Sequence, residues 1–149
     1  MYTREIILIE DNPSDVELTR RAFKKAKIVN PLRHFDHGEP ALEYLNSFIT
    51  NDKRINEMPL LILLDINLPL VSGLEILKAI KTSPTLRRIL VVMLTTSSEH
   101  RDLESAYELG ANSYIIKPVD FEKFSELIVQ IGMYWMVINE PPKLRSEEE

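Results

Sequence analysis

The chain contains no cysteine, which excludes a disulfide framework, thiolate metal sites and a cysteine nucleophile. No apolar run approaches the ~20 residues that a membrane helix needs, and residues 1–5 carry no signal-peptide pattern. These absences lead to the expectation of a cytoplasmic protein without membrane contact. Positive charge is also short: 18 Lys and Arg stand against 23 Asp and Glu, for a net charge of −5. Nucleic-acid binding needs clustered cations that displace counterions, so nucleic acid is not expected as a partner. One local basic group, Arg20, Arg21, Lys24, Lys25 and Lys27, is spread along a helical stretch and reads as a solvated face that could also meet an acidic partner. There is no internal repeat, and 149 residues suffice for one core but not two. A single folded domain is expected over residues 1–138, with a disordered tail over 139–149, where Pro141 and Pro142 precede a run of glutamates.

What is present is a set of short apolar runs, over residues 6–9, 60–64, 89–94 and 114–116, with a weaker one over 32–35. They are rich in Ile, Leu and Val and do not alternate, as befits strands buried on both faces of a parallel sheet. Between them lie segments of helical period, over 13–25, 39–51, 72–82, 99–109 and 120–138. Asn12 is placed to cap the first helix, with Pro13 at its first position. Pro84 and Gly110 punctuate the third and fourth helices, and residues 51–59 read as a polar loop. Strand and helix thus alternate five times, which predicts a doubly wound α/β domain with helices on both faces of a five-stranded parallel sheet.

Polar residues follow or close the apolar runs: Glu10 and Asp11 the first, Asp65 the third, Thr95 the fourth, Lys117 the fifth. In an open parallel sheet these carboxyl ends gather at one edge, where ligands bind. Three crowded carboxylates repel one another unless a cation neutralises them. Oxygen-only ligands with no His or Cys nearby select a hard ion, Mg²⁺ before Ca²⁺. Beside such an ion an ionised Asp65 can attack phosphorus and form an acyl phosphate. Lys117 would neutralise the equatorial oxygens and the Thr95 hydroxyl would donate to one of them.

These pieces resemble the receiver domain of two-component response regulators. The matching stretches are Ile9-Glu10-Asp11-Asn12, Leu64-Asp65-Ile66-Asn67-Leu68-Pro69 with Gly73 following, Leu94-Thr95-Thr96-Ser97, and Gly110-Ala111 with Tyr114-Ile115-Ile116-Lys117-Pro118. The resemblance implies a flavodoxin-like sheet of order 2-1-3-4-5 and a phosphoryl group received on Asp65 from a sensor histidine kinase. It further implies Mg²⁺ on Asp11, Asp65 and the backbone carbonyl of Asn67, with Glu10 acting through water, and a cis peptide before Pro118. Switching would move Thr95 to the phosphoryl group and rotate Tyr114 inward, while Asn67 and Ser97 stand where such domains tune dephosphorylation. Glu10 replaces a commoner Asp, and the loop over 51–59 is longer than in minimal receivers. That loop, the stretch Leu94-Thr95-Thr96-Ser97 and the pair Tyr134-Trp135 are similar to small regulators serving cyanobacterial phytochrome kinases. Such regulators resemble receivers without an output domain, and they dimerise through the last helix.

Each residue also has a plainer role. Glu10 and Asp11 suit the positive end of a helix, Thr95 a strand end, Lys117 a surface lysine, and Tyr114 a core aromatic. His34, His37 and His100 read as surface residues. In the last helix Phe124, Leu127, Ile128, Ile131, Trp135 and Ile138 form one apolar stripe, and Val129, Met133 and Met136 extend it to a second face. That surplus predicts a homodimer interface. Two other functions stay open at this point. One is a small Mg²⁺-dependent phosphatase working through an aspartyl phosphate, disfavoured by the missing cap domain and by Asn67 in place of a second Asp. The other is a binding module of the same fold that works unphosphorylated.

Overall fold

The computed structural model describes residues 4–138; the side chain of Ile138 and the tail expected over 139–149 lie outside the described residues. Five strands, β1 (Ile6–Ile9), β2 (Leu32–Phe35), β3 (Leu61–Leu64), β4 (Leu90–Thr95) and β5 (Ser113–Ile116), form one sheet of order β2-β1-β3-β4-β5. Every pairing is parallel, with Ile9 beside both Phe35 and Leu64, and Leu64 beside Met93. The three central strands are buried along their whole length, whereas the edge strands β2 and β5 are mostly half-buried. That difference explains why the central runs are unbroken Ile, Leu and Val, while Arg33 and Ser113 are tolerated outside.

Successive strand residues point to opposite faces, so the sheet feeds two cores. Ile7, Ile9, Ile62, Leu64, Val91 and Met93 pack under α2 (Gly38–Thr50), α3 (Gly73–Lys81) and α4 (His100–Glu108). Ile6, Leu8, Leu61, Leu63 and Val92 pack under α1 (Pro13–Lys25) and α5 (Phe121–Gly132), which supply Phe23, Phe124, Ile128 and Ile131. Helix starts are fixed locally: Asn12 Oδ1 accepts from the amides of Ser14 and Asp15, Ser72 and Glu75 form a reciprocal capping box, and Asp120 caps α5.

Two expectations need correcting. Residues 51–59 are not a plain loop, because Asp52–Glu57 winds into a 3-10 helix. Arg54 holds it, with Nε on Glu57 at 3.2 Å, Nη1 on Ser47 Oγ at 2.7 Å and its guanidinium over the Phe48 ring. The last helix does not run evenly to 138; α5 ends at Gly132 and Met133–Ile138 continues as a wider π-helix. Gly132 abuts the Phe23 ring of α1, where an added Cβ would sit 3.1 Å from a ring carbon. The other elements agree with the sequence reading to within about a residue at each end.

Candidate functional site

Glu10, Asp65 and Lys117 each lie one residue past a strand, and Thr95 is the last residue of β4. All four are buried, while Asp11 and Asn67 are exposed at the rim. The backbone fixes this arrangement. Asp65 N–H donates to the Ile9 carbonyl at 3.2 Å, and Lys117 N–H donates to the Thr95 carbonyl at 2.7 Å, extending the sheet past its last formal pairs. The chain after Asp65 then turns back sharply, with Gly73 N–H on the Ile66 carbonyl at 2.9 Å. A Cβ at Gly73 would lie 2.0 Å from the Asp65 carbonyl oxygen, so only glycine permits this approach. On the same loop Leu70 is 90% exposed and sits at φ 69°, a left-handed conformation that costs a branched side chain of order 1 kcal/mol.

Carboxylate oxygens of Glu10, Asp11 and Asp65 lie within 4.8 Å of one another. Lys117 Nζ donates to Glu10 Oε1, to Asp15 Oδ2 at 2.9 Å and to Asp65 Oδ2 at 3.1 Å. The remaining Asp65 oxygen, Oδ1, accepts from the Asn67 amide at 3.1 Å. With all ionised, four carboxylates against one ammonium leave a formal surplus of negative charge. Burial pushes the Glu10 carboxyl up to about 7 in spite of the hydrogen bond from Lys117, and the charge of Asp65 adds to the rise. Burial alone would lower the lysine, but the hydrogen bond and charge of Glu10, with Asp65 and Asp15, hold Lys117 well above its ordinary value. An all-oxygen donor set with surplus charge fits a hard divalent cation, whose ligand distances of about 2.0–2.6 Å the clustered oxygens can meet.

A second chain of contacts leads away from this pocket. Thr95 Oγ1 accepts from the Ser97 amide at 3.2 Å, and the Ser97 carbonyl accepts from the Tyr114 hydroxyl at 2.9 Å. Ser97 Oγ in turn donates to Asp102 Oδ2 at 2.6 Å, tying the loop to the first turn of α4. Tyr114 is half-buried and packs on the α2–α4 core, and desolvation raises its phenol above the usual value. Thr95 and Tyr114 therefore share one loop residue, although they lie on different strands.

The expected residues meet at one edge, with four differences. No cis peptide occurs among the described residues, so the Lys117–Pro118 bond is trans. The proline amide leaves the two isomers only roughly 0.5–1 kcal/mol apart, and with the trans bond Lys117 N–H still reaches the Thr95 carbonyl while its ammonium reaches the acids. His34 is not a surface residue: it is half-buried on β2 and its Nε2–H donates to the Glu10 carbonyl at 2.7 Å. Asp15 was missed altogether, because an acid in the first turn of a helix looks like a complement to the helix dipole. On α5 and the π-helix, Val129 and Met136 pack against the α1 side of the core, and of the three supposed interface residues only Met133 is exposed.

Residues 6–129 match the response regulator receiver domain family. Among curated relatives, the probable methanogenesis regulatory protein FilR2 of Methanothrix harundinacea (strain 6Ac) is 39% identical over 137 residues, covering 92% of this chain and 86% of its own. Response regulator Rcp1 of Synechocystis sp. is 34% identical over 131 residues, covering 88% of each chain, and a structure of Rcp1 in its Mn²⁺-bound form superposes with a TM-score of 0.82 at 32% identity, covering 94% of this chain and 99% of that one. The structure of the phosphorylated cyanobacterial phytochrome response regulator RcpA superposes with a TM-score of 0.86 at 32% identity, covering 95% of this chain and all of that one.

Proposed function

Because this chain belongs to the response regulator receiver family, we propose that Asp65 accepts a phosphoryl group from a sensor histidine kinase and that the domain alters its surface in response. One observation carries the reading: the Lys117 ammonium lies 3.1 Å from the Asp65 carboxylate, within a buried cluster of acids at the carboxyl edge of the sheet. An Asp65 oxygen attacks phosphorus and forms the O–P bond as the N–P bond of a phosphohistidine breaks. The electron pair leaves with the imidazole, which takes up a proton. Lys117 neutralises a phosphoryl oxygen as charge moves onto it, and the Thr95 hydroxyl donates to another.

Glu10 (through water), Asp11, Asp65 and the Asn67 carbonyl are the proposed Mg²⁺ holders; the ion, when bound, offsets the charge of the acids and the incoming phosphoryl group. The Mn²⁺-bound form of Rcp1 supports a divalent ion at such a site. Movement of Thr95 would pull on Ser97, which the Tyr114 hydroxyl also grips, and this shared residue supports Thr95 and Tyr114 as the switch. The domain consumes only its phosphodonor and turns over no external substrate. Its proposed extent is residues 1–138, its proposed location the cytoplasm, and its proposed assembly a homodimer through the last helix. The likeness to Rcp1 and RcpA supports a phytochrome-linked kinase as donor.

Incubation with acetyl phosphate and Mg²⁺ should add ~80 Da by mass spectrometry, and Asp65→Asn should gain nothing. An unlabelled wild type, or a labelled Asp65→Asn, would remove the reading. Transfer from a purified phytochrome kinase tests the finer link, which fails if no label moves in either light state.

A further inference from the structure

Lys117 spreads its ammonium over three carboxylates, Glu10, Asp15 and Asp65. In the proposed reaction two of these partners take up other duties. Asp65 becomes an acyl phosphate, and Glu10 turns toward the metal. Asp15 has neither duty, since it stands outside the trio of acids whose oxygens converge within 4.8 Å. It is nonetheless well placed. Its amide is tied to the Asn12 side chain at 3.3 Å, its carbonyl accepts from Thr19 Oγ1 at 2.7 Å, and its side chain is only 19% exposed. The carboxylate is thus fixed on the frame of α1, 102 residues away in sequence from the lysine it meets.

We infer that Asp15 is a positioning residue: it keeps the Lys117 ammonium at the pocket when metal and phosphoryl group draw off the lysine's other partners. The inference rests on the phosphoryl-acceptor reading above. Lysine carries a point charge on a flexible four-carbon stem, so its location is set by the anions around it. Glu10, Asp15 and Asp65 all hold it while the site is at rest. Once Glu10 and Asp65 are engaged, an anion on rigid helix must hold the ammonium if it is to stay within reach of the phosphoryl oxygens. Displacing a charge-stabilising group by about 1 Å is enough to slow a positioned reaction markedly.

The alternative is that Asp15 serves only the helix dipole, and a double-mutant cycle separates the two. Labelling by acetyl phosphate with Mg²⁺ is followed for wild type, Asp15→Asn and Asp15→Ala, each also combined with Lys117→Ala. Asp15→Ala should slow labelling roughly tenfold, with a smaller loss for Asp15→Asn, which keeps an acceptor oxygen. Neither change should slow labelling further in the Lys117→Ala background, and Mg²⁺ affinity by calorimetry should move by no more than about twofold, since Asp15 is not a ligand. A loss of equal size in the Lys117→Ala background, or an undiminished rate, would overturn the inference. A second readout does not depend on phosphorylation: the ¹⁵N-resolved ammonium signal of Lys117 in the Mg²⁺-loaded protein should be present in wild type and lost in Asp15→Ala. Should wild type take no label, the phosphoryl-acceptor reading falls, and a surviving ammonium signal in Asp15→Ala would still overturn the positioning role separately.

Discussion

Strand β1 is preceded by one buried glutamate, Glu5, and followed by another, Glu10. Glu5 accepts from Arg33 Nε at 3.0 Å and from the Tyr44 hydroxyl, while the Arg33 guanidinium lies 4.4 Å over the Tyr44 ring. Burial and the adjacent carboxylate push the Tyr44 phenol up to about 12, so it remains a donor at any ordinary pH. One acid meets one base, and the cluster is closed. Around Glu10 the count differs, because Glu10, Asp15 and Asp65 share a single lysine and the Asp11 carboxylate lies close by without a pairing to it. Burial is equal at the two ends; the ratio of acids to bases is what separates a structural ion pair from a site that calls for an added cation.

The largest expected consequence concerns the shared lysine. Lys117→Met should destabilise the metal-free protein by about 3–5 kcal/mol, because it leaves buried acids without their cation. Urea unfolding would measure this, and an unchanged midpoint would erase the contrast between the two ends. At the closed end, Glu5→Ala should cost about 2–3 kcal/mol by stripping Arg33 and Tyr44 of their partner. The rise in melting temperature expected from Mg²⁺ at the proposed site should be the same in this variant as in wild type, since that site lies at the other end of the strand.

A third test uses pH. The Glu10 carboxyl titrates at about 7 in the fold against an ordinary 4.5, so the unfolded chain gives up its proton first. The contribution of Glu10 is therefore most favourable below 4.5 and is lost as pH rises toward about 7. Glu10→Gln should flatten this decline in metal-free melting temperature between pH ~5 and ~8, leaving a variant more stable than wild type at the upper end. An unchanged slope would mean that other groups set it. The smallest effect on stability is expected at Met133→Glu, within about 0.5 kcal/mol for an exposed position. Its informative readout is sedimentation, where a fall from dimer to monomer mass would support the last helix as the interface and an unchanged mass would not.

Much of the fold was legible because its signals are local. Asn12 and Pro13 mark the start of α1, and the unbroken apolar runs mark the three central strands. The acidic edge was legible as well, since polar residues at the ends of successive parallel strands must converge. What escaped depends on partners distant in sequence or on side-chain pairs without periodicity. Asp15 reads as ordinary helix charge until Lys117 arrives beside it. His34 reads as a surface imidazole until β2 pairs with β1 and the Glu10 carbonyl comes within reach. The 3-10 helix at Asp52–Glu57 rests on Arg54 reaching back to Ser47 and Phe48, which no apolar pattern announces. The isomer of the bond before Pro118 is a matter of roughly 0.5–1 kcal/mol, too little for sequence to decide.

The pocket is assembled from pieces that are neighbours only when β1, β3, β4 and β5 are all paired. A molecule with β5 detached would present Asp65 without Lys117, and one with β1 detached would lack Glu10 and Asp11. On the proposed reading, competence to take up a phosphoryl group therefore requires all four of these strands to be paired. Titrating the protein with denaturant while measuring the fraction that can be labelled should trace the unfolding of the central strands, so the chemistry doubles as a count of correctly folded molecules.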